Sequence, residues 1–174
     1  INAASADAVS IPASAGNRVG VEVRGLDLQG NPNAIDVTAT GANNVGVTIA
    51  GNNVRGAAAE GFDINLGSTG TQRIAIQNNA VTATGTGIDV NRTLGTATIT
   101  AFNDNTISGA SGGTGIMVNG AIFDATPGNP IDPVSGGVTT IGAVGNGVGA
   151  SGMLLSNVIG ELSFIDLDIV NDAG

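Results

Sequence analysis

The chain contains no cysteine, histidine, lysine, tryptophan or tyrosine, and its only aromatics are four phenylalanines. Each absence excludes a chemistry. Without Cys or His there is no disulfide framework, zinc centre, haem ligand, or Ser-His or Cys-His catalysis. Without Lys there is neither a Walker loop nor a Schiff base. Charged residues are 11% of the chain, under half the usual share, and five Arg against 14 acids leave a net charge of −9. Such a chain lacks the attraction for phosphate that nucleic-acid binding needs, so no nucleic-acid partner is expected. No apolar run approaches 18 residues, so no membrane-spanning helix is expected.

What is present is glycine, 29 of 174 residues, and a 41% hydrophobic content. The apolar residues are plentiful and regularly placed, which argues against disorder. The length fits a single domain, 1–174. The chain opens on Ile1 and carries no signal-peptide pattern, so a processed product or a piece of a longer chain is expected. Richness in Asn, Thr, Gly and Ala without Lys, Cys or Trp is the composition of a bacterial exported protein, extracellular or at the cell surface.

A repeat organises the chain. Ile35-Asp36-Val37, Phe62-Asp63-Ile64, Ile88-Asp89-Val90 and Ile116-Met117-Val118 follow one another at steps of 27, 26 and 28 residues, and Val9-Ser10-Ile11 precedes them by 26. Gly61, Gly87, Gly115 and Gly152 stand before the later copies. A second block travels with the first: Val21 and Val23 before Leu26 and Leu28, Val47 and Ile49 before Asn52 and Val54, Ile74 and Ile76 before Asn79 and Val81. Phe102, Asn105 and Ile107 continue it, and Leu162, Phe164, Leu167 and Ile169 end it. The step from Val90 reaches Thr100, which puts a Thr in an apolar column and marks a local change of register. Two-residue alternation over short runs is a strand buried on one face. Such strands bury that face by coiling and stacking, one repeat per turn, so that residues one repeat apart become parallel neighbours about 4.8 Å away. The crossover rule makes the coil right-handed. The expected fold is all-β: a right-handed parallel β-helix, or solenoid, of about six coils of roughly 26 residues.

The motif apolar-x-x-Asn-x-apolar followed by Gly-apolar-x-apolar resembles the right-handed parallel β-helix superfamily, the pectate-lyase-like solenoids, over roughly residues 5 to 170. The resemblance extends to bacterial surface and adhesin solenoids. It implies an architecture and says almost nothing of activity.

Asn52, Asn79 and Asn105 fall where the strand must turn, and Asn tolerates the left-handed conformation. Stacked amides would form a ladder inside the coil, with Leu26 and Leu167 replacing Asn at the two ends. Truncating one Asn would cost on the order of 1–3 kcal/mol. Each coil also contributes about six apolar side chains, worth about 10 kcal/mol gross before conformational entropy is subtracted. The phenylalanines at 62, 102, 123 and 164 read as core.

From Val118 to Thr139 the step is 21 residues where other coils use ten. Gly120 to Gly137 holds three of the five prolines, so a loop projecting from the coil is expected at about 120–137. Phe123 would anchor that loop if it folds back over the core. No amphipathic helix caps either end of the pattern. Open strand edges and an apolar cross-section then favour stacking end to end, a heterologous contact that builds filaments.

Asp36, Asp63 and Asp89 occupy outward positions, followed two residues later by Thr38, Asn65 and Asn91, with Arg92 beside them. Carboxylates stacked at strand spacing repel, so water, Arg92, Arg73 or a cation should offset them. Calcium is the expected cation, because it prefers oxygen ligands. Lyases of the resembled superfamily pair Asp ligands with an Arg base, but no such motif surrounds any Arg here, and no aromatic platform exists for sugars. No catalytic residue is assigned. Three motifs fail on context: Gly147–Gly152 matches GxGxxG without a following helix, Gly112–Met117 lacks the Asp of a calcium nonapeptide, and Asn91-Arg92-Thr93 is a lone sequon. Thr82, Thr84, Thr96 and Thr98 do not form a stacked Thr face. The expected role is structural or adhesive. The alternative is a polysaccharide lyase or hydrolase, or a carbohydrate-binding module, using the Asp36, Asp63 and Asp89 face.

Overall fold

Strand follows strand from end to end of the computed structural model, which describes residues 1–128 and 130–171. The first two coils hold β1 (Val9–Ala13), β2 (Arg18–Arg24), β3 (Asp27–Gly30), β4 (Ile35–Gly41), β5 (Val45–Ala50) and β6 (Asn53–Ala57). The next two hold β7 (Phe62–Ser68), β8 (Thr71–Gln77), β9 (Ala80–Ala83), β10 (Ile88–Arg92), β11 (Thr96–Asn103) and β12 (Thr106–Ser108). The last two hold β13 (Ile116–Asn119), β14 (Ile122–Phe123), β15 (Val134–Ile141), β16 (Met153–Ser156), β17 (Ile159–Gly160) and β18 (Leu162–Ile169). Every third strand pairs, in parallel, giving three six-stranded sheets: β1-β4-β7-β10-β13-β16, β2-β5-β8-β11-β14-β17 and β3-β6-β9-β12-β15-β18. This is an all-β parallel solenoid of six coils, and among the described residues there is no helix.

The register is the one the repeat demands. Val9, Ile35, Phe62, Ile88, Ile116 and Met153 form one column. In the four middle coils these side chains are fully buried, as are the alternate residues Val37, Ile64, Val90 and Val118. The anomaly at Thr100 resolves as a bulge: Ile99 pairs with Ile74 and Ala101 with Ala75, leaving Thr100 as the extra residue. The apolar column is thereby kept, with Ile99 instead of Thr100 inside.

The asparagine ladder lies inside the coil, with Asn52, Asn79 and Asn105 almost fully buried. The backbone N–H and side-chain Nδ2 of Asn52 both donate to Oδ1 of Asn79, at 3.0 and 3.1 Å. Those of Asn79 donate to Oδ1 of Asn105, at 3.2 and 3.0 Å. Nδ2 of each Asn also donates to a carbonyl of the preceding coil: Val23, Ile49 and Ile76. Leu26 ends the run by donating its backbone N–H to Asn52 Oδ1. One part of the reading is corrected. The left-handed conformation belongs to the residue before each ladder position, at Gly25, Gly51, Asn78 and Asp104, and not to the ladder asparagines. The turn is made one residue early, which frees the Asn side chain to point inward.

The column before the first sheet reads Ala8, Ala34, Gly61, Gly87, Gly115 and Gly152. At Gly87 a Cβ would overlap Ile107 and the Gly115 carbonyl, so the third sheet's β-branched residue occupies the space of a side chain.

The long insertion leaves the second sheet after Phe123. It returns in β15, where the backbone N–H of Asp104 donates to Gly136. Residues 120–137 therefore include β14 and the start of β15, and the strand-free excursion is 124–133. Phe123 is buried and meets Phe102 edge to face, with ring centroids 6.4 Å apart. Buried Asp124 ties the excursion down by accepting backbone N–H bonds from Thr126, Gly128 and Asp132 at 3.1–3.2 Å.

Candidate functional site

Alternation in β4, β7 and β10 turns Asp36, Asp63 and Asp89 outward while their neighbours on either side fill the core. They stand in one ladder, Ser10-Asp36-Asp63-Asp89-Met117-Leu154, so the acidic stretch is three coils long and is closed by apolar side chains. The three carboxyl groups are solvated unequally. Asp36 accepts from Ser10 Oγ at 3.1 Å and Thr38 Oγ1 at 3.0 Å. Asp63 accepts from Asn65 Nδ2 at 2.6 Å and Asn33 Nδ2 at 3.4 Å. Oδ1 of Asp89 is buried and has no hydrogen-bond partner.

These differences set the proton affinities. Burial pushes the Asp89 carboxyl up to about 6, helped by the charges of Asp63 and Glu60. Asp63 is also raised, chiefly by burial and then by Glu60 and Asp36, with its bond from Asn65 pulling the other way. Glu60 and Asp7 were missed as members of this face. The signal was present in the sequence, because Glu60 lies three residues before Asp63 and Asp7 three before Ser10, the same offset in the third and first coils, with Asn33 at that position in the second.

Neither proposed arginine offsets the column. Arg92 falls in register with inward Leu66, one position past the outward Asn91, and its Nη1 donates to the Gly95 carbonyl at 2.8 Å. Its Nε is buried beside Gly120 without a partner. Arg73 points outward from the second sheet. Among the described residues the ion pairs are Arg24–Glu22 and Arg55–Asp27, at 2.8 and 2.9 Å, both exposed. Among the described residues no three acidic groups converge to hold a metal ion. The calcium expectation is left with a file of carboxylates one coil apart instead of a cage.

The pH dependence follows from Asp89. Its folded value, about 6, exceeds the 3.8 of an ordinary aspartate, so the folded chain holds the proton longer than the unfolded chain. Its contribution to stability is complete below the unfolded value and is lost as pH rises through 6. Allowing for solvent screening, about 1–2 kcal/mol should be lost between pH ~3.5 and ~6.5. Asp89→Asn should therefore be more stable than the parent at neutral pH and show a flatter profile over this window. Urea titrations at stepped pH check this, and parallel profiles for the two proteins would contradict it.

Five cavities of about 180–470 Å³ formed by the described residues are lined by neither Asp36, Asp63 nor Asp89. Fold and face together define the class: a parallel β-solenoid repeat protein with a ladder of outward carboxylates. Compared with protein-family models, with curated proteins and with solved structures, the chain matches none.

Proposed function

We propose that the chain is a non-catalytic structural or adhesive segment of an exported bacterial surface or matrix protein, one that stacks end to end through its terminal coils. The observation that carries this reading is the state of the last coil. Its side chains continue the core columns, yet Leu155, in register with Val118, and Ile169, in register with Ile141, are 40% and 47% exposed. Met153, Leu162 and Leu167 are only partly covered there, as Val9, Val21 and Leu26 are on the first coil. Apolar columns running up to β1 and β2 on one face and to β16, β17 and β18 on the other are what a further coil would pack against, while the edge of β3 is already bonded by Ile1 and Ala3. Leu26 and Leu167 help, because the polar ladder ends on apolar residues that lose nothing by meeting one another.

The rival reading is a polysaccharide-active enzyme or carbohydrate-binding module working on the aspartate face. The chain has no Tyr or Trp on which a sugar could stack, and among the described residues no Arg pairs with the aspartate column; both favour the scaffold. Light scattering and negative-stain microscopy test the stacking. Rods should lengthen with concentration, and Leu155→Asp, which places a charge on the exposed end, should keep them short. Monomers alone at high concentration would remove the proposal. Turnover of uronic-acid polymers with added calcium, lost in Asp63→Asn, would establish the rival instead.

A further inference from the structure

Three depressions lie one after another, as a segmented channel, on the outer face of the second sheet, away from the aspartates. They measure about 180, 320 and 210 Å³. Thr71 and Arg73 line both the first and the second, and Gly95 and Thr96 line both the second and the third. The floor follows the register Gly46-Arg73-Thr98-Ile122-Ile159. At the spacing of parallel strands this line is about 20 Å long. Pro127, from the excursion pinned by Asp124, forms part of the wall beside Thr98.

The lining is chemically biased. The chain has 14 acids and five arginines, yet no acid lines any of the three depressions, while two arginines do. Arg24 and Arg55 elsewhere are matched with carboxylates. Arg73 is exposed and has no hydrogen-bond or ion-pair partner among the described residues. Around it are hydroxyls and an amide, from Thr71, Thr96, Thr98 and Asn44, and Asn157 lines the far depression with Arg92.

We propose that this channel binds a linear, hydroxyl-rich polyanion, whose oxoanion groups sit on Arg73 and, further along, near Arg92. A guanidinium fork matches carboxylate, sulfate and phosphate oxygens in shape and charge. Thr and Asn side chains both donate and accept, which suits a chain of hydroxyls. The backbone in the channel floor is already paired between coils, so an extended peptide would find no strand edge there. Nucleic acid would require stacking aromatics and more cations than two. Long-range repulsion from the net charge opposes an anionic ligand while the local Arg contacts favour it, and salt screens the repulsion first because it acts over the greater distance. The channel runs along the side of the coil, from Val19 of the first coil to Ile159 of the last, and does not rest on the stacking proposed above.

Calorimetry or thermophoresis on the full chain tests it, with a uronic-acid oligosaccharide, a sulfated oligosaccharide, a polyol-phosphate oligomer and a neutral oligosaccharide of equal length. One or more of the anionic chains should bind saturably and the neutral one should not. The strongest of the three identifies the oxoanion. Arg73→Gln should lose about tenfold in affinity, consistent with one charge-assisted contact. Arg55→Gln, remote from the channel, should lose nothing. Arg73 is exposed, so a matched thermal midpoint for the variant confirms that folding is intact. No saturable binding of any anionic chain, equal binding of the neutral chain, or full affinity in Arg73→Gln would overturn the proposal. Rod length under the same conditions reports on stacking separately.

Discussion

Asn79→Ala is expected to destabilise the solenoid by about 2–5 kcal/mol, more than a single lost hydrogen bond would explain. The reason is the shared acceptor. Oδ1 of Asn79 receives both the backbone N–H and a side-chain N–H of Asn52, and Nδ2 of Asn79 satisfies the Ile49 carbonyl. Truncation leaves two donors of Asn52 without acceptors in an interior that water does not reach. For a domain of this length, such a loss lowers the thermal midpoint by roughly 5–15 °C. Asn79→Leu, which copies the residue at either end of the ladder, should restore packing but not the bonds, and should fall between Ala and the parent. Thr106→Ala, exposed on the neighbouring strand, is the matched control. An Asn79→Ala midpoint equal to that control would show that the ladder contributes nothing.

Phe102→Ala should cost about 3–5 kcal/mol, the range for deleting a fully buried aromatic. Phe102 holds two things at once. It fills the inward column beside Ile76, and it meets Phe123 edge to face where the long excursion departs. The double variant Phe102→Ala with Phe123→Ala should be less damaging than the sum of the two singles by about 0.5–1.5 kcal/mol, the coupling of an aromatic pair. Chemical denaturation of the four proteins measures this coupling. Strict additivity would mean that the two rings pack independently. Limited proteolysis should also cut residues 124–133 faster in Phe102→Ala, because one end of the excursion loses its anchor.

The repeat was legible because its physics is local in one dimension. Apolar alternation at Ile35, Phe62, Ile88 and Ile116 gives strands, and a constant step gives stacking, so the columns could be read before any contact was known. Turn chemistry was half legible. Asn52, Asn79 and Asn105 announced a ladder, but the left-handed residue proved to be the one before each of them, since the side chain can enter the core only after the chain has turned. Thr100 announced an irregularity without revealing that Ile99 would take the inward place. The arginines were the least legible. Arg92 follows Asn91 directly, and its position at the end of β10 sends it away from Asp89.

By itself the sequence determined the coil, its period, its buried columns and its acidic outward file, because all of these follow from residues a fixed step apart. The tertiary structure alone decided how each carboxylate is solvated, which way Arg73 and Arg92 face, and that three depressions without acids fall in a row on one sheet. Those properties depend on side chains from different sheets and turns meeting around a corner, and no spacing along the chain encodes the geometry of that meeting.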